Sequence, residues 1–266
     1  MSLIRVSWLG VWVGIEMRVL TLTPLIVSRV NSVANESSMK YFLVQISSGL
    51  IFLAAINRGS ELVWLFLMRL SLKLGIAPLH FWVPHVFVGL SYVVLATIST
   101  FIKAPGFFLI HHVNPSFVWV LASLSVLVGA IAGVFLNNLK KLLAYSRVSH
   151  GGWILLTSHN HSIWLSYLVI YSLALWVAAL FLGSHYIKGV PQSINLDRLT
   201  KRMVYLGLVL SLAGIPPLLG FSVKWLRLTY LSRVALAVVI LLAIMLSFSL
   251  YYYIQIVIFS LLYNTK

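Results

Sequence analysis

Four ionisable residues stand in the middle of long apolar runs: Glu16, Lys73, Lys103 and Lys224. Placing such a group at mid-membrane depth costs roughly 2.5–3.5 kcal/mol, so each one needs a pairing or a task. Each belongs to a different run, so the four can meet inside a bundle but not along one helix. Amines and carboxyls held there can exchange protons, and the chemistry they offer is a proton path. Glu16 is the only carboxylate within an apolar run, and Lys73 is its natural partner. An ion pair at about 4 Å is worth at most about 4 kcal/mol at an effective dielectric of 20, comparable with the cost of burying one member. A structural ion pair without transport is the alternative. Arg18, two residues from Glu16, points elsewhere on a helix. Lys103 has no neighbouring acid in sequence, which makes it the amine most readily discharged by burial and the candidate switching site. Its alternative is a lysine snorkelling from a run that ends at Ile102. His150, in Ser146-Arg147-Val148-Ser149-His150, can relay protons or serve as a hydrogen-bonded structural histidine. Arg69 precedes Lys73 by one helical turn, where like charges repel, which calls for a second acid from another subunit.

Two of the lysines neighbour helix breakers. Lys73 stands just before Gly75-Ile76-Ala77-Pro78, and Lys224 just after Gly214-Ile215-Pro216-Pro217. Proline removes a backbone donor and clashes with the preceding turn, so discontinuous helices are expected near Pro78 and near Pro216 and Pro217. Carbonyls freed at membrane depth persist only where protein or water satisfies them, so paired breaks beside buried lysines point to a hydrated interior route. Kinks needed only for packing are the alternative.

The elements that position these groups are membrane-spanning helices. The chain of 266 residues is 61% hydrophobic and 9% charged, with a mean hydropathy of +1.02, which requires lipid as solvent. Runs such as 235–262 are apolar on every face, which excludes the alternation of a β-barrel. The expected fold is all-α, a polytopic transmembrane bundle of about nine spans in a single domain, 1–266. The spans are 8–27, 39–56, 62–85, 89–110, 117–136, 142–156, 163–182, 203–225 and 235–262. Glu16 and Arg18 inside the first run, without a small-residue cleavage site, mark it as a mature helix rather than a signal peptide. Arg29, Lys40, Lys140, Lys141, Lys188, Arg198, Lys201, Arg202 and Lys266 fall on one side of this topology, against Arg5, Arg58, Arg227 and Arg233 on the other. The positive-inside rule then puts the C-terminus inside and the N-terminus outside.

The net charge of +15 does not signal nucleic acid, because the basic residues are dispersed between apolar runs as lipid-headgroup anchors. With no cysteine, disulfides and thiolate iron–sulfur ligation by this chain are excluded. The eight histidines show no helical pair at ligand spacing with a carboxylate, so no metal is expected. No cofactor is assigned to the chain.

Several blocks together resemble the chain 2 family of mitochondrial NADH:ubiquinone oxidoreductase, antiporter-like subunits of respiratory complex I. They are Trp12 to Met17, Met39 to Leu43, Lys73 to Pro84, Lys141 to Ser146 with His150 and Trp153, and Gly214 to Phe221 with Lys224 and Trp225. The resemblance implies proton pumping across the mitochondrial inner membrane, with the N-terminus on the intermembrane side and the C-terminus in the matrix. It also implies coupling to NADH oxidation and ubiquinone reduction, with FMN and iron–sulfur clusters held elsewhere in the complex. Glu16 and Lys73 resemble the family's coupling pair, Lys103 its central lysine and Lys224 its exit-side lysine. Implied partners are the other membrane-arm subunits, including a neighbouring antiporter-like subunit, and membrane lipids. His85 stands where the family carries an acid, Val88 where a glutamine is common, and Arg147 where a small polar residue is usual. Compared with longer members, the chain is expected to lack a helix at each end.

The competing readings are a stand-alone cation/proton antiporter subunit and a structural membrane subunit. Co-migration with flavin and iron–sulfur proteins distinguishes a complex I subunit from the first. Replacement of Lys103 distinguishes it from the second.

Overall fold

A computed structural model describes residues 8–27, 32–57, 63–101, 103–109, 115–158, 160–185, 187, 189, 192, 199–216, 218–232 and 236–262. Pro217 lies outside the described residues, as do Arg5, Arg29, Arg58, Lys188, Arg198, Arg233 and Lys266 of the charge count. The described chain forms α1 (Trp8–Val27), α2 (Ser32–Asn57), α3 (Val63–Leu74), α4 (Trp82–Gly89), α5 (Tyr92–Thr100) and α6 (Ala104–Leu109). It continues through α7 (Pro115–Gly133), α8 (Leu139–Leu156), α9 (His161–Ser184), α10 (Leu199–Ala213), α11 (Leu219–Ser232) and α12 (Leu236–Leu262). Among the described residues there is no strand, only an isolated antiparallel bridge between Asn138 and Gly189. Among the described residues, three helical stretches are long and apolar enough to cross a membrane, Ser32–Ala54, Ser162–Ser184 and Leu236–Leu261.

Helix ends follow local chemistry. α3 stops at Leu74 because Gly75 adopts φ +63°, and its end is closed by Gly75 N to Leu72 O at 3.3 Å and Ile76 N to Ser71 O at 3.1 Å. This is a Schellman closure, in which a left-handed residue at C′ turns the last amides back on the helix. α10 ends in the same manner: Gly214 has φ +80°, and the amides of Gly214 and Ile215 both reach Leu210 O. The terminating residue in each motif is therefore the glycine, with Pro78 and Pro216 following in the non-helical segments. A third interruption separates α5 from α6. Pro105 has no amide to give the carbonyl of Phe101 and crowds it, so Lys103 stands at a helix boundary rather than in mid-helix. Asn138 caps α8, its Oδ1 accepting from Lys140 N at 3.0 Å.

α7 and α8 pack at backbone distance. A Cβ added at Gly129 would lie 2.6 Å from Ser149 N, and one at Gly152 would lie 2.6 Å from Ala122 O. Small residues at helix crossings permit this approach where no water drives association. The distribution of polarity is inverted relative to a water-soluble protein. Leu43, Leu50, Leu173, Val177 and Ile240 face outward, while Arg69, Lys103, Arg147, Lys224 and Arg227 are buried. Lipid is the solvent that makes this arrangement stable.

Several helix ends share one end of the bundle. Lys140 Nζ donates to Val88 O at 3.0 Å and Leu90 O at 2.6 Å. Gly89 packs against Val33 and Ser37 at the start of α2, and Asn138 pairs with Gly189 beyond α9. α2 starts at Ser32, about two turns before the expected Met39, and Ser37 and Ser38 within it bond their hydroxyls back to Val33 O and Asn35 O. One expectation is corrected. Arg227 is not a loop anchor: α11 runs on to Ser232, and Arg227 is fully buried on it.

Candidate functional site

α1 and α3 bring Glu16 and Lys73 together, with Lys73 Nζ 3.3 Å from Glu16 Oε1. Their side chains are only 18% and 10% exposed, so solvent screening is weak and the pair is held by the fold. α2 fixes the carboxylate sterically, since any Cβ at Gly49 would collide with Glu16 Oε1. Arg69 lies one turn before Lys73 and is fully buried, with its Cζ 3.0 Å from the centroid of Phe52. A guanidinium over an aromatic face is attracted by the ring quadrupole, which offsets part of the repulsion from Lys73. The Glu16 charge reaches Arg69 as well as Lys73. Arg18 lines a cavity with Gln45, Arg69, Lys73, Pro105 and Gly106, so α1, α2, α3 and α6 enclose the space around the pair.

From this cavity the geometry continues toward Lys103. The segment after Gly75 is stitched to its neighbours: Ala77 N donates to Ser125 Oγ of α7 at 3.2 Å, and Trp82 Nε1 donates to Leu72 O at 3.0 Å. The Ala77-Pro78 bond is cis. Lys103 is 3% exposed and donates to Arg147 O of α8 at 3.3 Å. A Cβ on Gly151 would meet both Lys103 Nζ and Ile76 Cγ2 at 3.3 Å. The interruption that follows Lys73 therefore lies against the same point of α8 as Lys103.

His150 is the neighbour of Gly151 on α8. Its Nδ1 is hydrogen-bonded to the Tyr167 hydroxyl, and its ring stacks on Tyr171 with centroids 4.3 Å apart. His150 lies within electrostatic reach of Lys103, Lys224 and Arg227. A second cavity is lined by His150, Tyr167, Tyr171, Ser211, Gly220 and Val223, joining α8 and α9 to the α10–α11 break. Lys224 is 3% exposed and donates to Ala213 O at 2.6 Å. It satisfies a terminal carbonyl of α10, as cations do at helix C-termini.

Of the sequence candidates, then, Glu16 and Lys73 meet directly, while Lys103 and Lys224 each bind a backbone carbonyl and both lie within electrostatic reach of His150. Pro78 and Pro216 stand in the non-helical segments beside Lys73 and Lys224. In the sequence Arg147 stands out only as a departure from the family pattern; its Nη2 donates to Ile98 O at 3.4 Å, and its Cζ lies 5.0 Å from the Phe87 centroid. Tyr167, Tyr171 and Tyr253 gave no sequence signal, although Tyr253 bonds Ser146 at 2.5 Å. The spacing of Lys224 and Arg227, three residues apart on one helix face, was the available signal for Arg227. Among the described residues, no three His, Asp or Glu side chains gather around a common point that could hold a metal.

The model of the NADH:quinone oxidoreductase/Mrp antiporter transmembrane family matches residues 58–249. The chain is 34% identical to NADH-ubiquinone oxidoreductase chain 2 of Anopheles gambiae, over 94% of this chain and 78% of that protein. It is 32% identical to chain 2 of Artemia franciscana, over 98% of this chain and 86% of that one. A chain of respiratory complex I from Thermus thermophilus, solved with bound aureothin, superposes with a TM-score of 0.85 at 28% identity. That match covers 95% of this chain and 65% of the Thermus chain. The chain belongs to the NADH:quinone oxidoreductase/Mrp antiporter membrane family and, within it, to the NADH-ubiquinone oxidoreductase chain 2 proteins.

Proposed function

We propose that this chain is a proton-translocating membrane subunit of respiratory complex I in the mitochondrial inner membrane. It couples NADH oxidation and ubiquinone reduction, carried out in other subunits with FMN and iron–sulfur clusters, to proton movement, and binds no cofactor itself. As a chain 2 protein it is part of an NADH:ubiquinone reductase. The observation that carries the reading is the inward line of charge in an apolar-surfaced bundle: Glu16 on Lys73 at 3.3 Å, then Lys103, His150 and Lys224.

In this reading residues 1–266 form one antiporter-like domain of nine spans, two of them broken near Pro78 and near Pro216 and Pro217. The shared end formed by α2, α4, α8 and the segment after α9 supports the alternation, and its lysines support a matrix location for that end. The N-terminus then lies on the intermembrane side and the C-terminus in the matrix. A neighbouring antiporter-like subunit acts on Glu16, other membrane-arm subunits and lipid cover the remaining flanks, and nucleic acid has no part.

The residues act as follows. When Glu16 is drawn from Lys73, the lysine becomes an uncompensated cation beside the Gly75 break. Coulomb repulsion between like charges is weakly screened in the protein interior, so an uncompensated cation there disfavours a second one nearby. That repulsion drives a proton off Lys103 toward His150 and Lys224. Restoring the pair allows Lys103 to be reloaded.

The test is Lys103→Gln in the assembled complex, reading protons pumped per NADH oxidised. A lowered ratio with the quinone reductase intact supports the reading, and an unchanged ratio refutes it. A chain that migrates free of flavin and iron–sulfur proteins would instead favour a stand-alone antiporter.

A further inference from the structure

Arg227 is a second buried cation on α11 for which the proton path above has no use. Its guanidinium lies over the Tyr167 ring, 3.9 Å from the centroid, and the hydroxyl of that ring holds His150 Nδ1. Nη2 donates to Ile163 O at 3.4 Å, while Nε and Nη1 have no hydrogen-bond partner among the described residues. Arg227 is fully buried, so these two donors point at a polar occupant other than the described protein groups.

The depth of this group follows from α9. The C-terminal end of α9 leads to Gly189 at the lysine-bearing end, and Ile163 is separated from Ser184 by 21 residues of helix, about 30 Å at 1.5 Å per residue. Ile163 is therefore near the opposite face. Tyr167 lies one turn inward from it, about 6 Å, and Tyr171 about 6 Å further. His150 contacts both rings. Side chains thus descend in steps from His150 through Tyr167 to Arg227 and the face away from the lysines.

We propose that the proton route leaves His150 by way of the Tyr167 hydroxyl and that Arg227 is its positioning residue. Arg227 holds the Tyr167 ring so that the hydroxyl stays on His150, and presents two N–H donors to water from the far face. An arginine does not discharge in a protein, so its charge is permanent. A permanent cation there repels a second one entering from outside. A proton arriving from within passes Tyr167 as a hop: the hydroxyl gives its proton to water and takes one from His150, with no net change at Tyr167. A proton from the far face meets the guanidinium first.

The inference rests on the proton path of the preceding subsection, and the experiment separates the two. Arg227→Gln, Arg227→Lys and Tyr167→Phe are made in the whole complex, with Lys103→Gln as reference, and assembly is checked by native electrophoresis. Protons pumped per NADH oxidised are measured at low and at high opposing proton-motive force. Arg227→Gln is expected to lower the ratio at low force, because the Tyr167 ring loses its support, and to lose at least half of it at high force. Arg227→Lys restores most of that loss, since it keeps the charge, and Tyr167→Phe lowers the ratio at both forces. A ratio unchanged at high force in Arg227→Gln, alongside a lowered ratio in Lys103→Gln, overturns the inference alone. Unchanged ratios in both overturn the path itself. Should Arg227→Gln fail to assemble, Tyr167→Phe decides: an unchanged ratio overturns the proposal.

Discussion

Lys224 donates to the carbonyl of Ala213, 2.6 Å away, across the break between α10 and α11. The last carbonyls of a helix have no partner within it, and a buried one left bare costs about 1–3 kcal/mol. The same amine lies within electrostatic reach of His150. On the proposed path the same nitrogen also carries the proton.

That double duty can be split. Lys224→Met should lower the stability of the subunit by about 1–3 kcal/mol, since the Ala213 carbonyl loses its donor, and should lower pumping as well. Lys224→Arg should keep the donor and most of the stability, yet fail in pumping, because a guanidinium does not release its proton. Thermal inactivation of the purified complex and protons pumped per NADH oxidised are the two readouts. Equal pumping by Lys224→Arg and wild type would remove Lys224 from the path.

At the other end of the line, Glu16 faces Lys73, with Arg69 and Arg18 within reach of the same charges. Glu16→Gln should destabilise the α1–α3 contact by on the order of 3 kcal/mol, because a buried cation loses its counter-charge. Gly49→Val should reproduce part of this defect without touching a charge, since the new side chain occupies the place of Glu16 Oε1. The measurement is pumping ratio together with protease resistance of α1. A Gly49→Val protein with normal pumping would show that the position of the carboxylate is unimportant.

The two positive-φ glycines give a conformational test. Alanine in the left-handed region costs about 1–2 kcal/mol, and each site adds a steric conflict. A Cβ at Gly75 would lie 3.1 Å from the Trp82 ring, and one at Gly214 would lie 3.0 Å from the Lys224 chain. Gly75→Ala and Gly214→Ala should both lower stability, with the second also displacing Lys224 and reducing pumping. Gly207→Ala is the control: it meets nothing within 4 Å and gains helix propensity of about 1 kcal/mol. Thermal shift of the complex should rank the control above both.

Much of the fold was legible in the residues because it depends on interactions within a turn or two. Hydropathy marks the chain as helical and membrane-embedded, with three described stretches long and apolar enough to cross a membrane, and Gly75 and Gly214 stand where α3 and α10 end. The sequence pointed to proline as the agent, whereas the geometry gives that role to the preceding glycine, whose left-handed φ closes the helix before the proline is reached. Helix length was less legible. The apolar run ends at Trp225, but α11 continues to Ser232 and carries Arg227, buried over the Tyr167 ring.

The sequence by itself determined that this is a helical membrane protein carrying a handful of amines and one carboxylate within its apolar runs, since transfer energies and helix-end chemistry are local. Only the tertiary structure decided which charge meets which. Lys73, and not Arg18 or Arg69, bonds Glu16, Lys103 finds the backbone of α8, and Tyr167 stands between His150 and Arg227. Those pairings depend on the rotation and depth of each helix against its neighbours. Packing across the bundle sets both, and no periodicity within one segment encodes them.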